Sequence, residues 1–171
     1  MKLDIGADEA VKAIIRMMEE RKIIDENYRS DMSVKTPDWK AKTDCIPEAK
    51  ILISGGRGIG SPEFFDELHK VAVLVGGEVS SSRVNVVAGW IDRSRQVGNT
   101  GNIVNPKLYM ACGISGTNQH KAGMSGSECI IAINKNPGAP MFDIADLGIV
   151  GDVKVIIPEL IDALKKRQKT D

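Results

Sequence analysis

The sequence predicts an α/β fold, a doubly wound parallel sheet, and three observations carry that expectation. From Lys50 onward, short apolar runs alternate with amphipathic helical stretches, as a parallel sheet covered on both faces requires. The runs are nearly continuously apolar, the mark of strands buried on both sides. Most of them end in turns rich in Gly, Ser, Thr and Asn, and in such sheets ligands sit beyond the carboxyl ends of the strands. With 171 residues, 42% hydrophobic and 27% charged, the chain has the composition of one ordinary globular unit large enough to bury a core.

The first segment reads as a helix, because Val11, Ile14, Ile15 and Met18 recur at i, i+3, i+4 and i+7, with Asp8 as its candidate cap. From Asp25 to Pro47 the period is lost, and Pro37, Pro47 and several charges mark a linker or surface excursion. The expected organisation is therefore an N-terminal helix and linker over 1–47, the helix packed outside the domain or mobile, followed by the α/β domain over 48–171.

Ile51 to Ser54 is a buried strand and Gly55 to Gly60 a tight turn. Ser61-Pro62-Glu63 starts a helix, with Pro at the first helical position. Phe64, Phe65, Leu68, Val71, Ala72 and Val75 give that helix an inner face, and Gly76-Gly77 stops it. Further strands are expected at Glu78 to Ser81, Leu108 to Cys112, Cys129 to Asn134 and about Gly148 to Val150, before a final helix from about Asp152 into Lys166.

Charge and cysteines narrow the function. Twenty-three basic residues balance 23 acidic ones, which gives no electrostatic case for nucleic acid as the main partner. Lys165, Lys166, Arg167 and Lys169 read as a solvated helix end. Cys45, Cys112 and Cys129 are odd in number and lack ligand or redox spacing, which argues for reduced thiols in a cytoplasmic compartment. Met1 to Ala10 carries Asp4, Asp8 and Glu9 without an apolar stretch of signal length, and no run is long enough to span a membrane, so neither export nor membrane insertion is expected. No carboxylate pair, nucleophile triad or metal-ligand cluster stands out to anchor a hydrolase or metalloenzyme.

The most informative stretch is Val97 to His120, which packs two Gly/Ser/Thr-rich turns around a short apolar run and ends on one of only two histidines. Glycines admit close backbone approach, hydroxyls and amides supply directed hydrogen bonds, and a polarisable ring completes a set suited to a polar, planar cofactor. GGRGIG, between a strand and a helix, reads either as a phosphate-binding turn or as a plain tight turn with a surface arginine. Arg83, after three serines, can hold a phosphate or lie against a conjugated ring without titrating.

Seven motifs in order carry a resemblance: SGGRGIGSPEFF from Ser54, SSSR from Ser80, AGW from Ala88, QVGNTG from Gln96, ACGISGTNQHKAGM from Ala111, IAINKNPGAPMF from Ile131 and ADLGIVGD from Ala145. From about Lys50 to Leu164 the chain resembles the C-terminal domain of the electron transfer flavoprotein alpha subunit. The resemblance implies a Rossmann-like FAD-binding domain of the deoxyhypusine-synthase-like NAD/FAD-binding type.

What the resemblance implies for residues is specific. Arg57 becomes a FAD contact, and Ser82 and Arg83 face the flavin. The Thr100 hydroxyl approaches flavin N5, with Val97, Gly98 and Asn99 lining the same loop; Asn99 stands where the family usually has Gln. Ser115, Gly116, Thr117, Asn118, Gln119 and His120 form the loop over the pyrimidine edge, with His120 near the C2 carbonyl. Asn134, Asp152 and Val153 match contacts to the adenosine half, although Asp152 is also placed to cap a helix. Arg83 and His120 would then favour reduced, negatively charged flavin.

The implied role is electron transfer rather than turnover of a substrate of its own. FAD would take electrons from an acyl-CoA or other dehydrogenase, or from a second flavin, and pass them on, with the electron transfer flavoprotein beta subunit as partner. The family's alpha subunit has a preceding domain, so this chain is either a shortened form or a natural short relative. The alternative is a nucleotide-binding enzyme or regulatory module for NAD or AMP, since this fold serves several functions.

Overall fold

The computed structural model describes residues 1–25 and 37–169. Six parallel strands form one sheet in the order β1-β6-β5-β4-β2-β3: β1 (Lys2–Leu3), β2 (Ile51–Gly55), β3 (Glu78–Ser81), β4 (Leu108–Cys112), β5 (Cys129–Asn134) and β6 (Leu147–Val150). The helices are α1 (Ala7–Glu20), α2 (Phe65–Val75), α3 (Arg83–Val87), α4 (Asn118–Met124) and α5 (Val153–Lys169).

Strand alternation divides the core in two. Ile51, Ile53, Leu108, Met110, Cys129, Ile131 and Ile133 point to the face covered by α1, α2 and α5. Leu52, Tyr109, Ala111, Ile130 and Ala132 point to the other face, with Val97, Val104 and Met124. Both faces are apolar, which is why the strand sequences show continuous rather than alternating hydrophobicity. The doubly wound parallel sheet and the four central strands stand as expected.

The first helix is not packed outside the domain but into its core. Ala10, Val11, Ile14 and Met18 are buried in the same core as α5, and Lys2–Leu3 pairs with Gly148 and Ile149 as an edge strand. Two residues of strand are too short to show as a pattern in sequence. The helix cap is the Gly6 position without a side-chain bond, and Asp8 instead pairs with Lys12 at 2.6 Å on the exposed face.

The stretch expected as a linker is tied down over the part that can be described; residues 26–36 lie outside it. Trp39 is buried against Phe65, with ring centroids 5.2 Å apart, and donates to Asp66 at 2.7 Å. The fully buried Arg95 donates to the carbonyls of Asp38 and Ala41, each at 3.0 Å, to the Val79 carbonyl at 2.9 Å and to the Glu78 carboxylate at 3.0 Å. One guanidinium thus fastens the segment to β3, satisfying its donors as a buried charge demands. At the other terminus Arg167, expected as a solvated end, pairs with Glu19.

Smaller differences are local. The Ser61-Pro62 start gives a 3-10 turn over Pro62–Phe64 before α2 begins. The short helices α3 and α4 fall where the sequence shows mainly loop chemistry.

Candidate functional site

The chain runs from β2 outward to β3, then back across β2 to β4, so the winding reverses between β2 and β4. A cleft of about 900 Å³ opens at the carboxyl ends of the strands beside that point. Four segments wall it, beginning just beyond Gly55, Ser81, Cys112 and Ile133, and the loop from Gln96 to Thr100 closes one side.

The glycine-rich turn after β2 is built for contact with protein. Gly56 N–H donates to the Cys112 carbonyl at 2.9 Å and Gly58 N–H to the Gly113 carbonyl at 3.0 Å. A Cβ on Gly56 would lie 2.3 Å from the Gly113 oxygen, and one on Gly58 would lie 2.7 Å from the Gly113 Cα. Gly113 itself has φ +65°, which only glycine adopts without strain. Ile59 and Gly60 N–H groups are spent within the turn. Of the two readings of GGRGIG these bonds favour the tight turn: its glycines let two backbones interlock, while Gly56, Arg57 and Gly58 line the cleft.

The β3 end is locked by three donors on the Gly55 carbonyl: Ser82 N–H at 3.1 Å, Ser81 Oγ at 2.9 Å and Asn85 Nδ2 at 3.2 Å. Ser82 Oγ is buried beside the cleft without a hydrogen-bond partner, and Arg83 follows it as the exposed first residue of α3. Neither Arg57 nor Arg83 joins an ion pair among the described residues.

The loop from Gln96 to Asn102 folds on itself. Gly98 N–H reaches the Asn102 carbonyl at 3.1 Å, Asn102 N–H reaches the Gln96 carbonyl at 2.8 Å, and Gln96 Nε2 donates to Thr100 Oγ1 at 3.0 Å. Asn99 N–H bonds the Gln119 carbonyl at 3.0 Å, and a Cβ on Gly123 would meet the Gly98 backbone at 2.5 Å. The two Gly/Ser/Thr-rich turns are thus one packed wall.

Residues 45–125 match the family model described as the electron transfer flavoprotein FAD-binding domain. The chain carries a FAD-binding domain of the electron transfer flavoprotein family. It is 57% identical over 121 residues to an electron transfer flavoprotein subunit alpha of Thermoanaerobacterium thermosaccharolyticum, covering 71% of this chain and 37% of that protein. A protein FixB of Clostridium saccharobutylicum is 54% identical over 74% of this chain and 39% of its own length. The Bacillus subtilis electron transfer flavoprotein subunit alpha is 49% identical, over 71% and 37%. The chain thus spans less than two fifths of the length of these relatives.

The cleft of this FAD-binding domain brings together Arg57, Ser82, Arg83, Val97, Gly98, Asn99, Thr100, Ser115, Gly116, Thr117, Gln119, His120 and Asn134. Three residues expected there do not line it. Asn118 is exposed on the first turn of α4, and Val153 is buried in the core. Asp152 accepts from Lys154 N–H at 2.9 Å and pairs with Lys135 at 3.1 Å. Partial burial acts to raise its pKa, but those partners outweigh it and hold the carboxyl below its usual range.

Gln96, Ile114, Val84 and Val87 line the cleft without having been singled out from sequence. Gln96 opens the QVGNTG motif, so position in the motif was the available signal.

His120 lines the cleft from the first turn of α4. Thr117 caps α4 by accepting its N–H at 3.3 Å, and its Nε2 lies 2.8 Å from the Tyr109 hydroxyl. Nδ1 is buried and makes no hydrogen bond. Burial lowers its pKa to about 4, with the Val97 carbonyl acting in the opposite direction, so the ring is neutral at pH 7. A neutral ring can act on a ligand only through hydrogen bonds, and Arg57 and Arg83 supply the cationic side chains of the wall.

The residues present fit FAD. The wall offers the partnerless Ser82 hydroxyl, the exposed Thr100 hydroxyl, two guanidinium groups and the apolar Val97 and Ile114, with a cleft volume suited to a large cofactor.

Proposed function

We propose that this chain holds FAD across the carboxyl edge of its sheet and works as the electron-carrying part of an electron transfer flavoprotein. The observation that carries the reading is the convergence of four strand ends and the Gln96–Thr100 loop on one cleft with hydrogen-bonding groups and two arginines. FAD, when bound, supplies the redox chemistry, and the protein tunes it through surrounding charges and hydrogen bonds. Arg83, at the mouth and not engaged in an ion pair among the described residues, favours the cofactor's negatively charged reduced state over its oxidised state. The interaction acts differentially, because that charge exists only after reduction. Thr100 and Ser82 orient the cofactor by hydrogen bonds, while Val97 and Ile114 shield it from water.

In this reading electrons arrive from an acyl-CoA or other dehydrogenase, or from a second flavin, and a beta subunit is the partner. Relatives named electron transfer flavoprotein subunit alpha support a further subunit as partner. Two buried cysteines and one exposed cysteine, all unpaired, suit a reducing, cytoplasmic setting. No helix among the described residues is long and apolar enough to cross a membrane. Reconstitution with FAD tests the reading: a stoichiometric yellow complex supports it, and tight binding of NAD or AMP without FAD replaces it with a nucleotide-binding module.

A further inference from the structure

Gln96 is held unusually firmly for a residue facing a ligand cleft. Its N–H donates to the Arg93 carbonyl at 3.0 Å, and its carbonyl accepts from Asn102 N–H at 2.8 Å and from Asn102 Nδ2 at 3.0 Å. A Cβ on Gly101 would approach that carbonyl to 2.6 Å, so the chain folds directly over it. The preceding Arg95 is fixed by its four acceptors, and Val97 N–H bonds the Ser81 carbonyl at 2.9 Å. From this buried base the side-chain amide reaches the exposed Thr100 hydroxyl at 3.0 Å.

A hydroxyl has one proton and two lone pairs. When its oxygen accepts from the Gln96 amide, its proton remains for another acceptor, and both residues line the cleft. We propose that Gln96 is a positioning residue of the FAD site: its amide fixes the Thr100 hydroxyl as a hydrogen-bond donor aimed at an acceptor atom of the cofactor. This rests on the FAD-binding reading above. Without the amide, the hydroxyl rotates freely and must be ordered when the ligand binds.

Two measurements on the full chain separate this inference from the reading beneath it. In the cofactor-free protein, the Gln96 side-chain 15N resonance is expected away from the free-amide position, with slowed proton exchange. Thr100→Val should return it to the free position. A resonance indifferent to Thr100→Val would overturn the proposal whether or not FAD binds.

The second measurement is a double-mutant cycle on FAD affinity and on the absorption bands of the bound cofactor. Gln96→Leu and Thr100→Val should each weaken FAD by about five-fold, the size of one net hydrogen bond, and shift the bands in the same direction. The double variant should be no worse than either single one. Additive losses would overturn the positioning role. Gln96→Glu keeps the shape but can only accept, so it takes the Thr100 proton and should weaken FAD more than Gln96→Leu does. That isosteric variant carries the cycle if Gln96→Leu fails to fold. A coupled Gln96 resonance in a chain that does not bind FAD would instead sink the cofactor reading.

Discussion

The Tyr109 hydroxyl, fully buried on a central strand, lies 2.8 Å from both Ser54 Oγ and His120 Nε2. It carries a hydrogen-bonded chain from the core to the cleft wall, and burial drives its own pKa upward, so it remains a protonated phenol. At the other end of that chain, burial holds His120 as a neutral ring.

That geometry sets a pH dependence. The folded pKa of His120, about 4, lies below the unfolded value near 6.5, so between these pH values the unfolded state binds the extra proton. The contribution is fully present above about pH 6.5 and is lost progressively as pH falls toward 4, to roughly 3 kcal/mol in all. Chemical denaturation at a series of pH values should show a weaker acid loss in His120→Gln than in the parent. Equal slopes over that window would contradict the assignment.

Arg95 is buried with one carboxylate and three carbonyls, and replacing it by Met leaves Glu78 beside a low-dielectric pocket without its cation. Arg95→Met should destabilise the fold by about 3–5 kcal/mol in urea denaturation. A loss below about 1 kcal/mol would show that the segment from Asp38 to Ala41 does not depend on this guanidinium.

Gly113→Ala places a Cβ at φ +65°, 2.7 Å from the Gly58 backbone. The interlocked turns must separate, with a cost above about 2 kcal/mol and a weaker FAD complex. Thermal melting and FAD titration check this. A variant as stable as the parent would remove the interlock from the account.

Much of this was legible in sequence because buried parallel strands announce themselves: Ile51 to Ser54, Leu108 to Cys112 and Cys129 to Asn134 are apolar on both faces. Lys2–Leu3 was not, since two residues carry no period, and its pairing with β6 is a long-range event. Trp39 and Arg95 escaped for a similar reason: a lone Trp among charges and a lone Arg look exposed until their acceptors arrive from elsewhere in the chain. At the site, the turns of Gly, Ser and Thr were readable, but the use of their N–H groups was not. GGRGIG has the composition of a phosphate turn, yet the Gly56 and Gly58 N–H groups go to Cys112 and Gly113 and those of Ile59 and Gly60 stay within the turn. The neutrality of His120 was not readable either, because burial is a property of the packed fold.

Arg83→Ala should lower the reduction potential of bound FAD more than it weakens FAD binding. At an effective dielectric of about 20 and a separation of about 4 Å, the attraction is on the order of 4 kcal/mol, reduced by the water that replaces the side chain. Arg83→Lys should restore part of the charge effect without the planar contact. Spectroelectrochemical titration reads both variants, and an unchanged potential with FAD still bound would remove Arg83 from the flavin ring.

The most direct measurement is a titration of the purified, cofactor-free chain with FAD, followed by absorbance and by recovery of the complex on gel filtration. One FAD per chain is predicted, with binding abolished or weakened at least ten-fold when Thr100 and Arg83 are replaced together. No FAD retained by a folded parent chain, or tight retention of NAD or AMP in its place, would contradict the account.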